Sequence, residues 1–128
     1  MSGKKKILVV DDNNDFLFLT KKELEHAGYE VFTADTGRIC LKMAYEAKPG
    51  IILLDVMLEH EDGFNVLSLI KSDPLLSKIP VLFITAHKEL DPLLKLRQQS
   101  VPNQEFIYKG CSTKELVDKI ESILSKSR

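Results

Sequence analysis

Little in this chain points outward to nucleic acid, to a membrane or to an oxidising compartment. Its 128 residues carry a net charge of −1, which gives no general attraction to polyanions or to anionic lipid. The single lysine run, Lys4 to Lys6, is too short for a nucleic-acid patch. No apolar stretch comes near the ~20 residues needed to span a bilayer. The basic start, Met1 to Lys6, meets only four apolar residues before two aspartates, too few for a secretory signal. A cytoplasmic protein without direct nucleic-acid or membrane binding is expected. There are two cysteines, Cys40 and Cys111, and a domain of this length needs no covalent staple. Cys40 shares a helical stripe with Met43, Ala44 and Ala47 and reads as a core residue.

Repeats and linkers are also missing, so residues 1–128 read as one domain with a core over about 5–125. With 44% hydrophobic and 29% charged residues, disorder is excluded. What the chain does have is an alternation of strand and helix patterns. Ile7 to Val10 form a first apolar run. Leu17, Thr20, Leu24 and Ala27 then recur at helical spacing until Gly28. Glu30 to Ala34 read as a second strand, and a helix follows from Thr36, an N-cap, to Lys48, where Pro49 and Gly50 break it. Ile51 to Leu54 are a third strand, followed by an acidic loop (Glu59, His60, Glu61, Asp62, Gly63) and a helix with Phe64, Leu67 and Ile70 inward. Pro80 opens a fourth strand, Asp91 and Pro92 start a short helix to Gln99, and a polar loop over Ser100 to Gln104 leads to a fifth strand, Phe106 to Tyr108. Ser112 and Glu115 have capping-box spacing ahead of a last helix with Val117, Ile120 and Leu124 inward. Five strand–helix units argue for a three-layer α/β/α domain with a doubly wound parallel sheet.

The chemistry gathers at the strand ends. Asp11 and Asp12 close the first strand, Asp55 the third, Thr85 the fourth, and Lys109 the fifth. In an open parallel sheet those ends share one rim, and ligands bind where the strand order reverses. Carboxylates crowded there repel one another unless a cation joins them. Mg²⁺ suits such a set, because it takes one or two carboxylates with water and phosphate oxygens. An aspartate can attack a phosphoryl group to give an aspartyl-phosphate, with Lys109 and the metal stabilising its oxygens. Thr85 can donate a hydrogen bond to that phosphate or can cap the following turn.

These residues resemble the response-regulator receiver domains of two-component signalling, from Lys5 to about Leu124. The similarity rests on Val9-Val10-Asp11-Asp12, on Leu53-Leu54-Asp55-Val56-Met57, on Asp62-Gly63, on Thr85-Ala86 and on Lys109. It implies a flavodoxin-like sheet with strand order 2-1-3-4-5. It implies that Asp55 is the phosphoacceptor and that Asp12 and Asp55 bind Mg²⁺, for which Mn²⁺ could substitute. Asp11 would help through water, and the Met57 backbone carbonyl would be a further ligand. Thr85 and Lys109 would hold the phosphate. Phe106 stands at an aromatic switch position, although it reads equally as a core ring. The implied partners are a histidine kinase or phosphotransfer protein and a downstream effector domain or protein. A homodimer through the face of the 91–99 helix, the fifth strand and the last helix is a further implied arrangement. Catalysis would be limited to phosphorylation of Asp55 itself and slow loss of that phosphate. With no output domain after the last helix, the expectation is a stand-alone receiver or a piece of a larger regulator or hybrid kinase.

Three positions depart from the family pattern. Glu59 replaces a common proline, Gly50 stands where an acidic residue is common, and Gly110 replaces the proline after the lysine. That proline normally follows a cis bond. A non-proline cis peptide costs ~2.5–4 kcal/mol, so the bond before Gly110 is expected to be trans. Glu59 and Glu61 read as a solvated acidic loop, with tuning of metal affinity as the alternative, and His26, His60 and His87 as surface residues. Other functions remain in view. A degenerate receiver would bind partners without phosphate. A flavin protein would need a Gly/Ser/Thr-rich loop where Asp11-Asp12-Asn13-Asn14 stand, and an aspartyl-phosphate hydrolase would place an acid where Met57 stands.

Overall fold

Apolar runs buried on both faces organise the molecule. The computed structural model describes residues 3–86, 99, 101 and 103–126. The helix expected from Asp91 to Gln99 falls, but for its last residue, outside the described residues, as does His87. In chain order the elements are β1 (Lys6–Val10), α1 (Asn14–His26), β2 (Glu30–Ala34), α2 (Gly37–Ala47), β3 (Ile51–Asp55), β4 (Met57–Leu58), β5 (Glu61–Asp62), α3 (Gly63–Ser72), β6 (Val81–Thr85), β7 (Glu105–Tyr108) and α4 (Thr113–Lys126). The main sheet has the order β2-β1-β3-β6-β7, and each neighbouring pair is parallel. Setting aside the β4–β5 hairpin, this is the expected 2-1-3-4-5 arrangement.

Side chains alternate across the sheet. Leu8, Val10, Ile52, Leu54 and Phe83 pack with residues of α2 and α3 on one face. Ile7, Val9, Leu53 and Leu82 pack with Leu17 and Leu24 of α1 and Ile120 of α4 on the other. Every residue of β3 and β6 is buried, as befits central strands covered on both sides. The edge strand β7 is half-buried throughout.

The helix ends follow their local chemistry. Asn13 caps α1 through the Phe16 N–H, Thr36 caps α2 through Ile39, and Asp62 caps α3 through Phe64. Ser112 and Glu115 form the expected reciprocal box at α4, Glu115 N–H donating to Ser112 Oγ at 3.1 Å and Ser112 N–H to Glu115 Oε1 at 3.5 Å. Helix α2 ends with Lys48 in the left-handed region, φ 50°, just before Pro49.

Three expectations are corrected. Ala27 is the exposed C-cap of α1, not part of its buried stripe, because the helix closes one residue earlier. Val117 is only partly buried, and Leu116 and Ile123 join Ile120 and Leu124 on the inner face of α4. The acidic stretch after β3 is no plain loop. Met57 pairs with Asp62 and Leu58 with Glu61 in an antiparallel hairpin. Cys40 is fully buried, and both cysteines are free.

Candidate metal and phosphoryl site

Because β1 lies beside β3, and β3 beside β6, their C-terminal ends meet on one rim. Asp11 sits just past β1, its N–H tied to the Ala34 carbonyl at 3.1 Å. Its Oδ1 accepts the Asn13 N–H at 2.9 Å, which turns the chain toward α1. Asp12 beside it is half-buried. Asp55 ends β3 and accepts the Met57 N–H on Oδ1 at 3.1 Å. One carboxylate oxygen from each of Asp11, Asp12 and Asp55 lies within 4.8 Å of the others. The three aspartates that end the first and third strands are thus neighbours in space.

Lys109 reaches into the cluster from the end of β7. Its ammonium lies 2.6 Å from Asp11 Oδ2 and 3.5 Å from Asp55 Oδ2. Burial works against the charged amine, but the hydrogen bond and charge of Asp11 together with Asp55 outweigh it and raise the lysine above its usual range. Asp55 responds in the opposite sense to a normal ion pair. Burial, reinforced by the negative charge of Asp11, pushes its carboxyl from 3.8 to about 6, against the opposing pull of the Met57 N–H and of Lys109. Three carboxylates face one ammonium, so the cluster carries excess negative charge. Its donors are hard carboxylate oxygens converging on one point, which fits a small divalent cation such as Mg²⁺.

The remaining expected residues are near the rim with different degrees of commitment. Thr85 is buried at the end of β6, and its carbonyl accepts the Lys109 N–H at 2.7 Å. Met57 has its side chain mostly exposed, 64%, while its backbone opens the β4–β5 hairpin. Phe106 lies opposite Phe83 in register and stacks on it with centroids 5.2 Å apart. It is thus packed against the core in this state. No cis peptide occurs among the described residues, so the bond before Gly110 is trans, as expected. A Cβ on Gly110 would overlap the Tyr108 ring, so glycine lets that ring cover the turn after Lys109.

Three contributions were not read from the sequence. Phe16, at the start of α1, holds its ring 4.7 Å from the Lys109 ammonium, a cation–π contact. Gly63 presses its backbone against Asp55 so closely that a Cβ would overlap the Asp55 carbonyl oxygen. Glu61 is exposed, as expected, and its carboxylate also accepts the Gly37 N–H at the start of α2. Of the three, only Gly63 stood out in the sequence, as part of the Asp62-Gly63 pair.

A family model described as the response regulator receiver domain matches residues 7–121. The chain belongs to that family. The receiver domain is 37% identical over 124 residues to the alkaline phosphatase synthesis transcriptional regulatory protein PhoP of Bacillus subtilis, covering 96% of this chain and 50% of that protein. It is 32% identical over 123 residues to the phosphate regulon transcriptional regulatory protein PhoB of Pseudomonas aeruginosa, covering 96% and 53%. It therefore spans about half the length of these curated relatives. Among solved structures it is similar to the chemotaxis protein CheY4 of Vibrio cholerae, with a TM-score of 0.83 and 27% identity over 94% of this chain and 98% of that one. A CheY-like receiver domain protein of Methanospirillum hungatei gives a TM-score of 0.85 and 25% identity over 98% and 97%.

Proposed function

We propose that this receiver domain accepts a phosphoryl group on Asp55 from the phosphohistidine of a histidine kinase or phosphotransfer protein, with Mg²⁺ bound, and signals the change to a downstream effector. The observation that carries this reading is the convergence of Asp11, Asp12 and Asp55 within 4.8 Å, with Lys109 bridging two of them. Asp12, Asp55 and the Met57 carbonyl would hold the metal, with Asp11 assisting. When bound, Mg²⁺ offsets the carboxylate charge and the charge on the phosphoryl oxygens.

The residues divide the work. Asp55 must be ionised to act as the nucleophile, and with its carboxyl at about 6 the metal-free site is mostly ionised above that pH. One carboxylate oxygen attacks phosphorus and forms the P–O bond as the P–N bond to the donor imidazole breaks. The electron pair of that bond stays on the imidazole nitrogen, which then takes a proton. Lys109, held by Asp11, follows the growing negative charge of the phosphoryl oxygens. Thr85 offers its hydroxyl to another of those oxygens.

Incubation with a small-molecule phosphodonor and Mg²⁺, or Mn²⁺ in its place, should add one phosphoryl mass to the wild-type chain. Asp55→Asn should gain none at a comparable rate. A variant phosphorylated as fast as wild type would reject Asp55 as the acceptor.

A further inference from the structure

The hairpin that follows Asp55 is fastened to a helix with which it shares no sequence neighbourhood. Glu61 stands in β5, paired with Leu58, while its carboxylate accepts the Gly37 N–H in the first turn of α2. Helix α2 has no acidic residue in that turn, so Glu61 supplies the negative group that its N-terminus otherwise lacks. Space has been cleared for it. A Cβ at Gly37 would lie 2.6 and 2.9 Å from the two Glu61 carboxylate oxygens and 2.9 Å from Val66 Cγ2. Gly37 adopts no left-handed φ, so the glycine is explained by this seat and not by backbone conformation.

The other end of the hairpin leads to the site. Met57 N–H donates to Asp55 Oδ1, and Met57 pairs across the hairpin with Asp62. Asp62 in turn caps α3 through the Phe64 N–H at 2.8 Å, and Gly63 N–H returns to the Val56 carbonyl at 2.8 Å. The two ends of this short segment are thus pinned at Asp55 and at α3. Glu61 is its third fixed point, and the one that reaches α2.

We infer that Glu61 is a positioning residue: by docking on the N-terminus of α2 it fixes the β4–β5 hairpin and, with it, the Met57 backbone that the proposed function assigns to Mg²⁺. The inference rests on that functional reading and extends it to a residue outside the acidic cluster. Its carboxylate acts through reach and hydrogen bonding, not through direct contact with the metal.

The test separates reach from charge. Mg²⁺ affinity is measured by calorimetry and by amide NMR titration for wild type, Glu61→Asp, Glu61→Gln, Thr36→Ala and Asp12→Ala. Aspartate keeps the charge but is a methylene too short, and its Mg²⁺ binding should weaken about tenfold, as for other supporting-shell losses. Glutamine keeps the reach and an accepting oxygen, and should recover most of the affinity. Thr36→Ala removes the other cap of α2, so it should lower the melting temperature and leave Mg²⁺ affinity at the wild-type value. Wild-type affinity in Glu61→Asp, or a larger loss in Glu61→Gln than in Glu61→Asp, would overturn the inference. An equal loss in Thr36→Ala would also overturn it, by assigning the effect to helix damage. Asp12→Ala should bind Mg²⁺ weakly. If it binds as tightly as wild type, the proposed function itself fails and takes this inference with it; if it weakens while Glu61→Asp does not, the positioning role alone fails.

Discussion

Asp55 is buried among like charges, and that makes its ionisation a stability term as well as a chemical one. Its carboxyl lies at about 6 in the folded chain against an ordinary 3.8. Between those values the folded state holds a proton that the unfolded state has lost, so stability falls as pH rises through the window. Above it the full cost of the charged group is present, up to about 3 kcal/mol for a shift of this size. Asp11 and Lys109 face the same carboxyl with opposite charges, and both effects are contained in the shift. In chelator-treated samples Asp55→Asn should therefore be more stable than wild type at pH 7, with the gap closing as pH is lowered toward 4. Urea unfolding at several pH values reads this directly. A gap independent of pH would contradict the burial argument. Adding Mg²⁺ should stabilise wild type and narrow the pH 7 gap, since a ligand of the native state adds to its stability.

At the level of elements, the β3–α3 connection decides how Asp55 is presented. Its tightest point is Gly63, where a Cβ would overlap the Asp55 carbonyl oxygen and lie 2.7 Å from the Val56 carbonyl oxygen. Gly63→Ala must push α3 away from the end of β3, and overpacking of this kind costs about 1–3 kcal/mol. Gly50→Ala is the matched control. Its Cβ would find only ordinary contacts, 3.5 Å to Leu124 Cδ2 and 3.6 Å to the Lys6 carbonyl oxygen, and should change stability by less than about 0.5 kcal/mol. Chemical denaturation of the two variants checks the difference. Gly63→Ala should also slow phosphorylation of Asp55, whereas Gly50→Ala should not.

For the molecule as a whole, the proposed phosphorylation of Asp55 would reach β7 and α4 through the pairing of β6 with β7. Thr85 and Lys109 meet through the backbone, and β6 and β7 pair Thr85 with Tyr108 and Phe83 with Phe106. A phosphoryl group with nearly two negative charges would draw the Thr85 hydroxyl and the Lys109 ammonium toward it. Phe106, now stacked on Phe83, would then move toward the space that Thr85 leaves. Such coupling is typically ~1–3 kcal/mol, enough to shift a population without refolding. With beryllofluoride and Mg²⁺, the amide resonances of β7 and α4 should shift along with those around Asp12 and Asp55. Shifts confined to the latter, with the Phe106 ring unmoved, would leave a phosphate site without a switch.

Most of the sheet and of the site is legible in the order of residues alone. Strands covered on both faces must be continuous apolar runs, so Ile7–Val10, Ile51–Leu54 and Val81–Ile84 stand out, and the polar residue ending each run marks the rim. The capping residues Asn13, Thr36, Asp62 and Ser112 act within a few residues of themselves, and such local chemistry leaves a pattern. Folding in three dimensions was needed to bring Phe16 against Lys109, to seat Glu61 on Gly37, and to lay Tyr108 over Gly110. Those pairings depend on how crossover helices and turns settle against the sheet. Glu61 stays exposed, and its acceptance of the Gly37 N–H, 24 positions away, emerges only once the hairpin and α2 are in place. The raised carboxyl of Asp55 belongs to the same class, since it comes from burial and from Asp11 brought beside it by the pairing of β1 with β3.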